Sequence, residues 1–373
     1  MVKSLQFALS PKHIFLNPPF ITLILMIALV AAVILANGGD PLALARIGTI
    51  YDLGDPQGTE GYDGQFVYYV ARDPDPTRVA RYLDVPAYRY QRILLPLLGR
   101  ALAFGSLQAI PWTLAALGIL SQFVGTWLVS LLLASWRVSR WYALIYGLWV
   151  GFGLAIRLVL PEPLAYALVA GAILSEIRGR RGLGWLLHGL ALFAKEVAVI
   201  FVIASLVDKL TRRKWRDVGG LILVSVLPFA IFQFWLWQVF GQTGFGSGGA
   251  MATSFELIPY MGLFRIGFYS PLYLVAMLIV FAPSIIFPSV WGIVTTLKKW
   301  ISGDINVAVF SLFFNALAIA FLPFSTFRET GGLLRFSCGL VLSAVLYCGY
   351  YRNRRILNYG FLWLVLNLFL VKS

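Results

Sequence analysis

The chain of 373 residues is laid out as long apolar runs broken by short polar ones. Apolar runs of 17 or more residues recur from Phe20 to the last turn, more than one soluble core can hold. The pattern predicts membrane helices over 20–36, 109–134, 142–159, 164–177, 218–239, 270–297, 305–322, 333–350 and 355–371. Residues 89–104 are apolar but carry Arg89, Arg92, Arg100 and Pro96, which suits an interfacial helix better than a span. Residues 183–207 lie between two basic clusters, and a single crossing would put those clusters on opposite sides. Two half-helices meeting at Lys195-Glu196 keep both on one side. With the hairpin halves included, about eleven membrane helices are expected. They form one all-α transmembrane domain over residues 1–373.

Composition agrees with this and removes other classes. Hydrophobic residues make up 60% of the chain, charged residues 12%, and the mean hydropathy is +0.81. A soluble domain carries about 25% charged residues, so soluble enzyme folds and disulfide scaffolds are excluded. The formal charge of +14 raises nucleic acid as a partner, but its distribution speaks against one. Lys3 and Lys12; Arg137 and Arg140; Arg178, Arg180 and Arg181; Lys209, Arg212, Arg213, Lys214 and Arg216; Lys298 and Lys299; and Arg352, Arg354 and Arg355 stand in loops that can share one side. That is the positive-inside pattern. It makes the N-terminus cytoplasmic in a cell membrane and the first span a retained anchor, longer than the apolar region of a signal peptide. Cys338 and Cys348, ten positions apart on one predicted helix, are separated by about 15 Å and cannot bridge each other.

The polar stretches concentrate the chemistry. The loop over 37–105 is expected outside the cytoplasm. Its first part, 37–88, holds 8 of the 16 acidic residues and nets −4 in a basic protein. A second outer loop, 240–269, is glycine-rich. Its formal G-x-G-x-x-G, Gly244 to Gly249, follows no strand and reads as a flexible loop, not a nucleotide site. The two histidines, His13 and His188, form no metal-ligand pair, and no P-loop is present. These residues fix no cofactor, and a divalent cation stays open. Asp73-Pro-Asp75 could hold a divalent cation or be a proline-kinked acidic turn. In Gly61-Tyr-Asp-Gly-Gln-Phe-Val-Tyr-Tyr, residues Phe66, Tyr69 and Val70 share one helical face, which suggests a short amphipathic helix on the outer leaflet. Asp63 at its start is either the helix N-cap or a carboxylate base at the membrane surface.

The order of these elements resembles bacterial GT-C-type membrane glycosyltransferases, most of all a family assigned to cell-surface glycopolymer formation. The likeness lies in a first span, the acidic loop with Tyr62-Asp-Gly-Gln65, and Tyr88-Arg-Tyr-Gln-Arg92 with Leu95-Pro96. Leu160-Pro-Glu-Pro163 and Ala194-Lys-Glu196 follow in mid-chain. The resemblance implies a GT-C-like helical bundle that moves a sugar from a polyprenyl-phosphate donor to an extracytoplasmic glycan or lipid acceptor by inverting displacement. It implies a first-loop acid as base: Asp63 by position, with Asp40 and Asp52 as rivals. A phosphate leaving group needs cations, for which Lys195, Arg335, Arg92, Arg328 and Arg157 are the candidates. Arg328 and Arg335, seven apart, would share a face if that stretch is helical. Tyr62, Gln65, Glu162 and Glu196 are the candidates for sugar or acceptor contacts. Interfacial snorkelling of the arginines and a structural Lys195-Glu196 pair remain open alternatives. So does a different function: a membrane transporter or flippase without ATPase activity, since ionisable groups in a membrane also mark substrate paths.

Overall fold

The structure, a computed structural model, describes residues 17–372; Lys3, Lys12 and His13 lie outside them. Every regular element among the described residues is helical. Five helices are long and apolar enough to cross a membrane. They are α1 (Pro18–Ala36) and, further along, α5 (Ile110–Ser135), α10 (Trp215–Phe240), α11 (Pro271–Ile301) and the pair over Thr330–Tyr350. The chain is an all-helical membrane protein. The other predicted spans are shorter: α6 (Val150–Arg157), α7 (Glu162–Ile177), α8 (Arg181–Ala194), α9 (Val199–Thr211) and α12 (Val307–Ala320), while the one expected over 355–371 divides into Arg354–Gly360, a tighter 3-10 stretch Phe361–Leu368 and Phe369–Lys372. The expected span over 142–159 is broken at Leu148-Trp149, where Trp149 turns to an extended conformation before α6.

Proline explains two local departures from α geometry. Pro228 and Pro288 each lack an N–H and would press their rings on the carbonyl four residues back. Each is preceded by a five-residue π turn, Ile222–Val226 and Ala282–Ile286, which widens the helix where that carbonyl lies. Both long helices therefore continue through their prolines.

The last long helix divides at Ser337 into α13 (Thr330–Phe336) and α14 (Cys338–Tyr350). It is the most enclosed span, 83% buried, while α1 is 28% buried and sits at the edge. Around α14 the main core gathers Tyr146, Trp149, Phe152, Tyr166, Phe201, Phe310 and Phe327, all essentially inaccessible. These large rings account for much of the apolar area removed from solvent.

The 181–211 segment is a hairpin. The C-cap of α8 is Lys195 in an extended conformation, and a short turn from Glu196 leads into α9. Lys195 meets Glu162 at the start of α7, whereas Gly184 and Lys209 both lie against Glu176 near its end. The two halves thus start and finish at the same end of α7. At 14 residues α8 is about 21 Å long, close to α7 itself.

The first-loop helices are α2 (Gly64–Arg72), α3 (Pro86–Tyr90) and α4 (Leu94–Leu102). The predicted interfacial helix is thus two helices that part at Arg92. The expected placement of α2 on the outer leaflet is corrected: residues Gly64 to Ala71 are all buried, packed against the bundle and not on a lipid surface. Arg100 of α4 donates to the carbonyls of Ala71 and Arg72, closing the end of α2 with a cation that suits a helix C-terminus.

Candidate functional site

Two glycines bring the site together. A Cβ on Gly64 would stand 2.1 Å from the Leu158 carbonyl oxygen, so only glycine lets the start of α2 abut the end of α6. A Cβ on Gly151 would stand 2.2 Å from the Leu334 carbonyl oxygen, which puts α6 hard against α13. The Trp149 indole donates to the same carbonyl at 3.0 Å. Asp63 precedes Gly64 and Arg335 follows Leu334. The residues therefore meet through α6, although 272 positions separate them.

Asp63 does not cap its helix. Its side chain makes no capping hydrogen bond. Oδ2 accepts from both terminal nitrogens of Arg335 at 3.1 Å, and Oδ1 lies 2.9 Å from Arg89 Nη1. Burial would raise the pKa of this carboxyl, but Arg89, Arg335 and Arg92 outweigh it and hold it well below the usual carboxylate range. As found, Asp63 is an anion with little appetite for a proton. The N-cap reading is overturned by this geometry. The rival acids are placed elsewhere: Asp40 caps the short turn at Leu42, and Asp52 accepts from the Tyr69 hydroxyl at 3.3 Å.

The network extends both ways. Arg89 is bidentate on Asp84 at 2.7 and 2.8 Å, and its guanidinium lies over the Phe66 ring. On the other side Arg335 Nη1 is 3.6 Å from Glu162 Oε1, which also accepts from Lys195 Nζ at 2.5 Å. Arg92 is bidentate on Glu196 at 2.8 and 2.5 Å and bonds the Tyr88 hydroxyl at 2.6 Å. Lys195 and Glu196 therefore do not pair with each other; each meets a residue of another element. Tyr62 lies over Arg335 at 5.2 Å and donates its hydroxyl to Glu329 Oε1. Burial, opposed by Arg335 and helped by Glu329, pushes this phenol well above the usual tyrosine range, so it stays a donor. Two buried atoms of this network lack a partner, Glu162 Oε2 and Arg335 Nε. Such orphans are expensive in a protein interior and suit a ligand.

Of the candidate residues, Asp63, Lys195, Arg335, Arg92, Glu162, Glu196 and Tyr62 converge. Gln65 does not take part: its amide donates to the Glu60 carbonyl at 2.7 Å and accepts from Gly48 N at 3.0 Å, stapling the loop. Arg328 is exposed on the far side of a break, because Glu329 is extended between the helix Phe324–Arg328 and α13. The shared face with Arg335 is thereby corrected. Arg157 ends α6 near Arg46. Asp73 is bidentate with Arg78 at 2.8 and 2.9 Å, a pairing that lowers its pKa to about 2, and Asp75 caps the turn at Thr77. Among the described residues no three His, Cys, Asp or Glu side chains gather as a metal site.

Arg89, Asp84, Tyr88 and Glu329 belong to the site and were not singled out beforehand. Arg89 and Tyr88 stood in the Tyr88–Arg92 string already, and an arginine three residues from Arg92 on a helical turn was the available signal. Asp84 and Glu329 had none. The glycine loop is no free strap either. Gly244 accepts from Gln91 at 3.0 Å, and Ala250 N donates to Asp84 Oδ2 at 3.1 Å. It therefore lies across α3 above Arg89. Beside Tyr62 opens a cleft of about 660 Å³ of mixed character, lined by Asn37, Asp40, Leu42, Arg46, Ile47 and Thr59. Compared with family models, curated proteins and solved structures, the chain matches none of them.

Proposed function

We propose that the chain is a membrane glycosyltransferase that moves a sugar from a polyprenyl-phosphate donor to an extracytoplasmic glycan or lipid acceptor with inversion. The observation that carries it is one buried network in which Arg89 and Arg335 hold Asp63, Lys195 and Arg335 flank Glu162, and Arg92 holds Glu196. A phosphate leaving group needs directed positive charge at the membrane face, and guanidinium forks supply it.

In this reading the donor phosphate exchanges with Asp63 for Arg335, whose Nε is unfilled. The exchange takes a cation from Asp63 and adds an anion beside it, so the carboxylate regains basicity only when donor is bound. The acceptor hydroxyl then adds to the anomeric carbon as its proton passes to Asp63. The bond from that carbon to the phosphate oxygen breaks, and polyprenyl phosphate leaves as the anion held by Arg335 and Lys195. The Tyr62 cleft would seat the acceptor, with the ring offering an apolar face to a sugar.

The test is transfer of labelled sugar from a synthetic polyprenyl-phosphate sugar by the purified chain in lipid. Transfer that depends on Arg335 and Asp63 supports the reading. Donor binding without turnover, against a panel of acceptors and sugars, would leave a carrier in place of an enzyme.

A further inference from the structure

A second feature lies on the lipid side of the bundle, with its charged end far from the site above. Between α5, α7 and α8 runs a groove of about 680 Å³ whose walls are almost wholly apolar, including Trp127, Leu131, Leu168 and Leu187. Its floor is set by Gly171, where an added Cβ would stand 3.3 Å from the Leu187 side chain. The groove follows α7 from Leu164 to Arg178, fourteen residues or about 21 Å. Because α5 is long and apolar enough to cross a membrane, the groove's apolar walls belong in hydrocarbon.

One end is different in kind. Arg178 and Arg180 close the groove at the end of α7 and both are exposed. Neither makes an ion pair or a side-chain hydrogen bond among the described residues. Their neighbours do: Arg181 is on Asp217, Lys209 on Glu176 and Arg212 on Asp208. Two unpaired guanidinium groups at the mouth of an apolar groove complement a ligand with an anionic head and a hydrocarbon tail.

We infer that this groove is a binding site for an anionic glycerophospholipid, its phosphate on Arg178 and Arg180 and an acyl chain along α7. The lipid comes from the leaflet at the Arg178 end. The phosphate bound at this end is not the donor's, since Glu162 and its cations lie sixteen residues from Arg178 along α7, about 24 Å.

The full chain, purified in neutral detergent, would be offered phosphatidylglycerol or phosphatidylcholine and examined by native mass spectrometry. One phosphatidylglycerol should be retained about tenfold more tightly than phosphatidylcholine. Arg178→Gln with Arg180→Gln should remove most of that preference, whereas Arg354→Gln with Arg355→Gln, an exposed basic pair elsewhere, should leave it intact. Val124→Trp, which fills the groove without touching a charge, should reduce retention of both lipids. Equal retention of the two lipids by the unmodified chain would overturn the inference without any variant. So would a preference that survives the Arg178 and Arg180 changes, or one for polyprenyl phosphate that these changes abolish.

Discussion

Arg335 directs both terminal guanidinium nitrogens at one oxygen of Asp63, while Arg89 takes the other. The carboxylate that best fits a base by position is therefore tied down by two cations. Its role follows from what happens when that tie is exchanged.

Replacing Asp63 with Asn tests this directly. No capping bond is lost, because none is made. Arg89 keeps Asp84 and Arg335 keeps Glu162, so the cost should stay at about 1.5–3 kcal/mol, the range for a hydrogen bond to a charged group. Transfer should fall roughly 100- to 10,000-fold, the share of a lost base. Asp52→Asn, whose carboxylate meets Tyr69 away from the cleft, should fold normally and transfer at nearly the wild-type rate. Glu329→Gln belongs in the same series, since Glu329 stands at the mouth beside Tyr62. Wild-type turnover in Asp63→Asn with loss in Glu329→Gln would move the base to Glu329.

The pH dependence separates free from donor-bound enzyme. Asp63 has a depressed pKa when folded, so it is anionic throughout the neutral range. The stability it contributes is full above about pH 4 and is lost only as pH falls toward its folded value. The profile of kcat/KM should thus show no acid limb from Asp63 between about pH 5 and 8. Once donor phosphate takes Arg335, the limb in kcat should move upward. Coincident limbs in the two profiles would count against the exchange.

Lys195 and Glu162 form a coupled pair in a site with almost no exposure. Lys195→Met leaves a buried carboxylate without its 2.5 Å partner and should cost about 3–5 kcal/mol. Lys195→Met combined with Glu162→Gln should cost clearly less than the two changes added together. Thermal unfolding of the four proteins in one detergent gives the coupling, and strict additivity would show that the contact is not energetic.

Gly64→Ala changes no charge and touches no ligand. Its methyl would meet the Leu158 carbonyl at 2.1 Å, backbone that has little room to yield. The start of α2 must shift, with a stability cost of about 1–3 kcal/mol, and Asp63 moves off Arg335. Turnover should drop at least tenfold with donor binding less affected. A stable Gly64→Ala protein with full turnover would mean the α2–α6 contact does not set the geometry.

Labelling tests the hairpin. Cysteines at Arg180 and Arg212 should react with an impermeant thiol reagent from the same face of the membrane, and a cysteine at Gln57 from the opposite face. Gly179 and Gly58 are unsuitable hosts: Gly179 has φ +78, and a Cβ on Gly58 would stand 1.9 Å from Thr49 Oγ1. The native thiols, Cys338 and Cys348, are buried. Opposite faces for 180 and 212 would mean one crossing instead of two half-helices.

What the sequence determined by itself is whatever depends on neighbours along the chain. Apolar run lengths declared a helical membrane protein, and charge clusters flanking 183–207 called for the break that occurs at Lys195-Glu196. Proximity of Arg89 to Arg92, and of Asp63 to Gly64, was equally there to be read. The partners were not. Arg335 finds Asp63 because glycines at 64 and 151 let three helices approach to backbone contact, and Glu162 finds Lys195 because α7 and α8 run side by side. Periodicity says which way a side chain points from its own helix, not which helix it will face. The Lys195-Glu196 pair left open as an alternative, the face that Arg328 and Arg335 would share if helical, and the N-cap reading of Asp63 all failed on that point. An ion pair in low dielectric is decided by distances of a few ångströms, and those were set only when the bundle packed.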